Sequence, residues 1–259
     1  MKSVGVVIPH FRAPAALEKC IACLEAQEGV AVRIFVRDNS ADNVLYTRAV
    51  NEGLRRFCFG GEHDFALALN QDAFLRADAL REMVAAMEAA PAAGICTPVS
   101  LTADGKVNWC GGADAYPLGK HLVTTPERLP QAPYESHWAN GACMLLRTAM
   151  VREIGLLDEN MRFICSDSDY SFTARSRGWK VLIVPGAFVQ HAPAGTGGGA
   201  GHALNKVMLQ DQLYFAEKWL SGDLYRRLAF EGARLPPSEV EESVALIRRQ
   251  IRQLTDLGA

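Results

Sequence analysis

Through its first hundred residues the chain alternates short, almost wholly apolar runs with amphipathic stretches of helical period, and few folds accept that rhythm. Residues 4–8, 32–36 and 65–69 are apolar at nearly every position, as strands are when helices cover both faces of their sheet. Between them, Leu17, Ile21 and Leu24 fall on one face of a helix, residues 45–54 read as a second, and the alanine-rich stretch 77–90 as a third that Pro91 closes. Repeated βαβ units predict an α/β fold with a Rossmann-like, mainly parallel sheet flanked by helices. Polar residues that follow the strands, such as His10, Asp38 and Asp72, then gather along one edge of the sheet, where such folds bind ligands.

From about residue 95 to 133 the helical rhythm stops, and turn signals such as Ala103-Asp104-Gly105 and Gly111-Gly112 predict a small antiparallel excursion. A strand over 141–147, a helix over 149–154 and a helix over 167–177 stopped by Gly178 follow. The run 180–184 reads as a strand ended by Pro185-Gly186, with His191 after the short run 187–189. The glycine-rich run 195–201 is expected to be a loop, either a lid over bound phosphates or an inert linker. The tail is expected to hold two helices. In the second, Val240, Val244, Ile247, Ile251 and Leu254 form an apolar stripe that either docks on the domain or forms a short seam for a second copy of the chain. This divides the chain into a main domain over 1–200, with halves 1–98 and 99–200, and a C-terminal helical extension over 201–259.

A formal net charge of -2 supplies no positive field to hold nucleic acid or an anionic membrane non-specifically, so no nucleic-acid partner is expected. No apolar run approaches the roughly 20 residues that span a bilayer, which leaves at most peripheral membrane association. The seven cysteines are odd in number and scattered through apolar stretches, as expected of a reduced, cytoplasmic protein that at most visits the inner face of a membrane. Cys20-x-x-Cys23 has the spacing of a redox pair or half a zinc site, but it falls inside a helical pattern with no second pair of ligands, which favours small buried side chains.

Three remote segments carry candidate chemistry. Asn70-Gln71-Asp72 ends an apolar run, so Asp72, with Asn70 two residues earlier, offers hard oxygen ligands to a divalent ion on a pyrophosphate; it equally suits a helix cap. His191 offers a nitrogen ligand or is a structural histidine. Asp167 and Asp169 open a helix two residues apart, so they point in different directions; one can face a cleft as a proton acceptor while the other caps or pairs, for instance with Arg175 or Arg177.

The segments VGVVIPHFRAPAALEKCIACL, VRDNSADN, DFALALNQDAFL, WANGACMLLR and GLLDENMRFICSDSDYSFTARSRGWKVLIVPGAFVQH occur in this order between residue 3 and roughly residue 195. Together they resemble the inverting family 2 glycosyltransferases of GT-A fold, and the Asn-x-Asp variant and WANGACMLLR look most like rhamnosyltransferases. The resemblance implies that Pro9, Phe11, Asp38, Asn39, Ser40 and Asn70 bind the nucleotide, with Asp38 accepting from the ring N–H of a pyrimidine. It implies that Asp72 and His191 hold Mg2+ or Mn2+ on the pyrophosphate. Asp167 would be the catalytic base, with Asp169 as the fallback, and Trp138, Asn140 and Gly141 would lie on the acceptor side. The implied partners are a nucleoside-diphosphate sugar and a glycan or lipid-linked acceptor of cell-surface polysaccharide or glycolipid synthesis.

Two other functions share such a sheet. A sugar-phosphate nucleotidyltransferase usually carries a glycine-rich basic loop after the first strand, where this chain has Pro9-His10-Phe11-Arg12. A non-catalytic sugar-nucleotide-binding protein is the other, consistent with Asn70 and Ser166 standing where acidic residues are usual in the family.

Overall fold

The computed structural model describes residues 2–61, 63–113, 120–191, 201–219 and 237–256. The parallel strands β1 (Lys2–His10), β2 (Val30–Asp38) and β3 (Phe65–Leu69) alternate with the helices α1 (Pro14–Glu25) and α2 (Leu45–Leu54), the latter continued by a π-helical turn, Arg55–Phe59. The short strand β4 (Ala73–Leu75), helix α3 (Ala79–Ala89) and the long strand β5 (Ala93–Leu101) follow. The excursion is built from β6 (Val107–Trp109), β7 (Gly112–Ala113), β8 (Lys120–His121) and β9 (Tyr134–Glu135). The chain then re-enters the sheet with β10 (Cys143–Arg147), α4 (Thr148–Ile154), α5 (Ser166–Ser176) and β11 (Lys180–His191). It finishes with α6 (His202–Trp219) and α7 (Pro237–Asp256).

The central sheet has the order β2-β1-β3-β10-β5-β11-β4, with β6 on β5 and β9 on β11. It is mixed, because β10 runs antiparallel between β3 and β5, and β4 antiparallel beside β11. Alternation along the strands divides the core between its two faces. Val4, Val6 and Ile8 of β1 pack with Cys20 and Leu24 of α1 and Leu80, Met83 and Met87 of α3. Val7 packs on the other face with Val50 and Leu54 of α2, Met150 of α4 and Tyr170 of α5. The helix α2 lies close on β1 because glycines meet it there: a Cβ on Gly53 would stand 2.3 Å from the Val7 side chain, closer than atoms can pack. A third, aromatic cluster of Trp109, Trp138, Phe172, Phe215 and Trp219 ties the excursion and α6 to α5.

Several expectations are amended by tertiary packing. Pro185-Gly186 does not end a strand; β11 runs through to His191 with a register shift between Val184 and Phe188 that absorbs both residues. Asp72 caps no helix, because β4 follows it and α3 begins only after Asp78. Strand β10 starts at Cys143 rather than at residue 141, since Asn140-Gly141-Ala142 form a turn in which Cys143 N–H donates to the Asn140 carbonyl. All seven cysteines are free, and Cys20 is buried in α1, where burial pushes its thiol up to about 12.

Both expected tail helices are present, and α7 packs against α6 with Ile247 of its apolar stripe buried. The side chains of Val240 and Val244, and the glycine run 195–200, lie outside the described residues. Among the described residues no helix is long and apolar enough to cross a membrane.

Candidate functional site

The C-terminal ends of β1, β2 and β3 point to one edge of the sheet, and the turn after β3 carries Asn70-Gln71-Asp72 into it. Gln71 is buried and locks this corner: its Oε1 accepts from Phe11 N–H at 3.0 Å and lies 2.7 Å from His10 Nδ1. Because β4 pairs antiparallel with β11, with His191 opposite Ala73, the register sets His191 beside Asp72. The His191 Nε2 to Asp72 Oδ1 distance is 3.4 Å, and both side chains are partly exposed. Two donors each about 2.0–2.3 Å from one ion stand roughly 3 Å apart, so this carboxylate and imidazole suit a divalent ion that takes its other ligands from phosphate and water. No group of three or more His, Cys, Asp or Glu side chains is placed to hold a metal among the described residues.

Asp167 reaches the same edge from α5. Cys165, in the left-handed region at φ +65°, turns the chain into that helix. The Asp167 carboxylate accepts from the N–H of Gly141 at 2.8 Å and of Ser168 at 2.8 Å. Tyr46 of α2 closes the other side of the turn, donating its hydroxyl to the Gly141 carbonyl at 2.6 Å. The fit is tight: a Cβ at 141 would lie 3.0 Å from Asp167 Oδ2 and 3.2 Å from the Tyr46 oxygen, so one of the two side chains would have to give way by a few tenths of an ångström. Burial raises the Asp167 carboxyl above its ordinary value; the Gly141 and Ser168 N–H groups, and then the charge of His121, draw it partly back.

These groups line one cavity of about 510 Å³, within the range of small-molecule sites. Its polar wall holds Asn39, Asn70, Asp72 and His191, and Asp167 faces it beside Asn140 and Gly141. Phe163, Ile164, Leu204 and Met208 supply an apolar side. Three of the four described non-glycine residues with positive φ, namely Asn43, Leu45 and Cys165, also line it; such strain, of order 1–3 kcal/mol per residue, gathers at functional sites.

A family model described as glycosyltransferase like family 2 matches residues 46–201. The chain belongs to that family. Similar solved structures share its fold. GalNAc-T7 with UDP, GalNAc and Mn2+ is 14% identical, with a TM-score of 0.59 over 88% of this chain and 54% of that one. The chain therefore spans only about half of that protein's length. TarS 1–349 of S. aureus with UDP-GlcNAc is 12% identical, with a TM-score of 0.56 over 96% of this chain and 72% of that one. The mannosyltransferase PcManGT from Pyrobaculum calidifontis with GDP-Man and Mn2+ is 13% identical, with a TM-score of 0.55 over 98% of this chain and 73% of that one. No curated protein sequence is similar enough to count as a match. The architecture is the GT-A type, a mixed sheet flanked by helices.

Of the residues named from the sequence, Pro9, Phe11, Asn39, Asn70, Asp72, Trp138, Asn140, Gly141, Asp167 and His191 all reach the cavity. Three residues named from the sequence do not. Asp38 is exposed, and hydrogen bonding from the Ser40 side chain, then from the Ser40 N–H that its Oδ1 accepts at 2.8 Å, holds its carboxyl below the usual value; Ser40 is likewise off the wall. Asp169 is buried away from the cavity, 2.8 Å from Lys218 Nζ and accepting Trp219 Nε1–H at 2.6 Å. Its partner is thus Lys218 of α6 rather than Arg175 or Arg177.

Several wall residues carry no signal in residue order. Tyr46 looks like one more apolar position on α2, and His121 sits in a two-residue strand. There its ring meets Trp138 edge-on, with ring centroids 5.1 Å apart. Leu204 and Met208 come from α6, beyond the stretch the family model matches.

Proposed function

We propose that this chain moves a sugar from a nucleoside-diphosphate donor to a hydroxyl acceptor, with inversion at the anomeric carbon. The observation that carries this is the placement of Asp167 on one cavity with the Asp72–His191 pair. The similar structures solved with UDP, UDP-GlcNAc or GDP-Man support a nucleotide-sugar donor, and the two solved with Mn2+ support a divalent ion. Pro9, Phe11, Asn39 and Asn70 would hold the nucleotide, and Asp72 and His191 the ion. Bound there, Mg2+ or Mn2+ would offset charge on the departing diphosphate as a Lewis acid. Asp167 accepts the proton of the acceptor hydroxyl while the oxygen bonds to the anomeric carbon. The bond from that carbon to the diphosphate breaks, and the nucleoside diphosphate leaves with the electron pair. A carboxyl raised by burial is a stronger base at neutral pH than an exposed one, and the Gly141 and Ser168 N–H groups keep it aimed. Tyr46, donating to the Gly141 carbonyl, holds the turn whose N–H bonds Asp167.

Within this scheme the donor is a rhamnosyl or related nucleotide sugar. The acceptor is a hydroxyl of a cell-surface polysaccharide or glycolipid, met at the inner face of the membrane by a protein at most peripherally bound. Residues 1–200 would form the catalytic unit and 201–259 an extension.

A thermal-shift screen of UDP, GDP and dTDP sugars, with and without Mn2+ or Mg2+, tests the donor half, because a ligand that binds only the folded state raises Tm. The expected result is a rise that needs the divalent ion and is lost in Asp72→Asn. Equal stabilisation with and without metal would remove Asp72 and His191 from the role given to them. Silence across the whole panel would remove the function.

A further inference from the structure

We propose that Asp211 of α6 is a positioning residue for the transfer reaction, holding the loop that delivers Asp167 to the cavity. This deepens the glycosyl-transfer function above and rests on it. The Asp211 side chain is fully buried, and its Oδ2 accepts two consecutive main-chain N–H groups, from Phe163 at 2.7 Å and Ile164 at 3.0 Å. Phe163 and Ile164 are wall residues of the cavity, followed directly by Cys165 in its left-handed conformation and by the first turn of α5. Asp167 is therefore three residues beyond the second bond. A neighbouring bond, Arg162 Nη2 donating to Gln210 Oε1 at 2.6 Å, fastens the same loop to the same helix turn.

A buried carboxylate is a costly anchor, and here the cost is incompletely offset. Asp211 Oδ1 is buried with no partner among the described residues, and burial raises the carboxyl despite the N–H groups it accepts. Such a group is poorly chosen if it merely glues two elements together, because an apolar pair of the same shape would do that better. A carboxylate offers instead a directional, charge-assisted grip on two backbone donors. That grip fixes φ and ψ ahead of a strained residue. The same helix presents Leu204 and Met208 to the cavity. Helix α6 begins at His202, just past the matched stretch, so this anchoring is supplied by a part of the chain that the family model does not cover.

The test pairs Asp211→Ala with Phe215→Leu. Phe215 packs on Phe172 from the same helix, so its truncation loosens α6 without removing the bonds to residues 163 and 164. In the full-length protein, Asp211→Ala should lower kcat about 10- to 100-fold and raise the acceptor KM, as displaced catalytic groups do, while the donor KM changes less than about twofold. Amide exchange in a peptide covering 160–166 should speed up. Phe215→Leu should lower Tm to a similar extent and keep kcat. Asp211→Asn, which retains one accepting oxygen, should fall between Asp211→Ala and wild type in both readouts. The proposal is overturned if Asp211→Ala loses Tm but keeps kcat, or if exchange over 160–166 is unchanged. If wild-type protein transfers no sugar at all, the functional assignment fails by itself, and amide exchange still decides whether Asp211 holds the loop.

Discussion

The wall bearing Asn39, Asn70, Asp72 and His191 is made from residues at or just after strand ends, fixed by sheet register, whereas the wall bearing Asp167 is held by contacts from the Gly141 turn, from α2 and from α6. On the first, His191 faces Asp72 because β11 pairs with β4, and both side chains keep some access to water. On the second, the N–H groups of Gly141 and Ser168 bond the half-buried Asp167 carboxylate, while Tyr46 fastens the Gly141 turn and Asp211 the loop before α5. Under the proposed function, the first wall would exchange an ion and a charged nucleotide, which benefits from solvent access and rigid backbone. The second would accept one proton, which benefits from burial that raises the carboxyl. The difference teaches that the two halves should fail differently when perturbed.

The largest effect is expected from Asp167→Asn, which should reduce kcat by roughly 10²- to 10⁴-fold, the usual contribution of a positioned base, while nucleotide binding persists. Its stability should move the other way. The Asp167 carboxyl is raised in the folded state, so its contribution to folding is full below the unfolded carboxylate value and is lost as pH rises through the raised one. Removing the ionisable group should therefore make the Tm difference, variant minus wild type, more positive as pH rises above the ordinary carboxylate range. A difference that is flat with pH would mean the carboxyl is not strained by burial.

Gly141→Ala should come next. The added Cβ would force Asp167 or Tyr46 aside, for a loss of about 1–3 kcal/mol in unfolding free energy and a kcat reduction of order tenfold, with the donor-induced Tm shift retained. Loss of donor binding instead would show that the two walls are not separable. The smallest effect belongs to Arg248→Ala on α7, whose ion pair with Glu217 is exposed on both sides and should contribute under about 0.5 kcal/mol. A larger loss in chemical denaturation would mean that the pair anchors α7 on α6 more firmly than surface charges usually do.

The first wall was readable from residue order because its cues are local. An apolar run that stops at a polar residue marks a strand end, and Asn70, Asp72 and His191 all lie at such stops. Even there, alternation decided what the sequence left open: of three consecutive candidates, Asn39 is buried in the wall while Asp38 is exposed. The second wall was readable only in part. Asp167 and Asp169 are the same residue type in the same first turn of α5, and what separates their roles is Lys218 and Trp219 about fifty residues later. The continuation of β11 through Pro185-Gly186 depends on its neighbour β5 accepting a bulge, which no local cue reports. The aromatic cluster joining Trp138, Phe172 and Trp219 draws on three distant stretches in the same way. Helical periodicity revealed α6, but not that Leu204 and Met208 would close a cavity.

The most direct test is a crystal structure of the chain with a divalent ion and an intact, non-hydrolysable nucleotide sugar. The expected arrangement has the diphosphate and ion beside Asp72 and His191, and the Asp167 carboxylate facing the anomeric carbon from the side opposite the diphosphate. A sugar bound with that carbon turned away from Asp167, or a nucleotide seated outside this cavity, would contradict it.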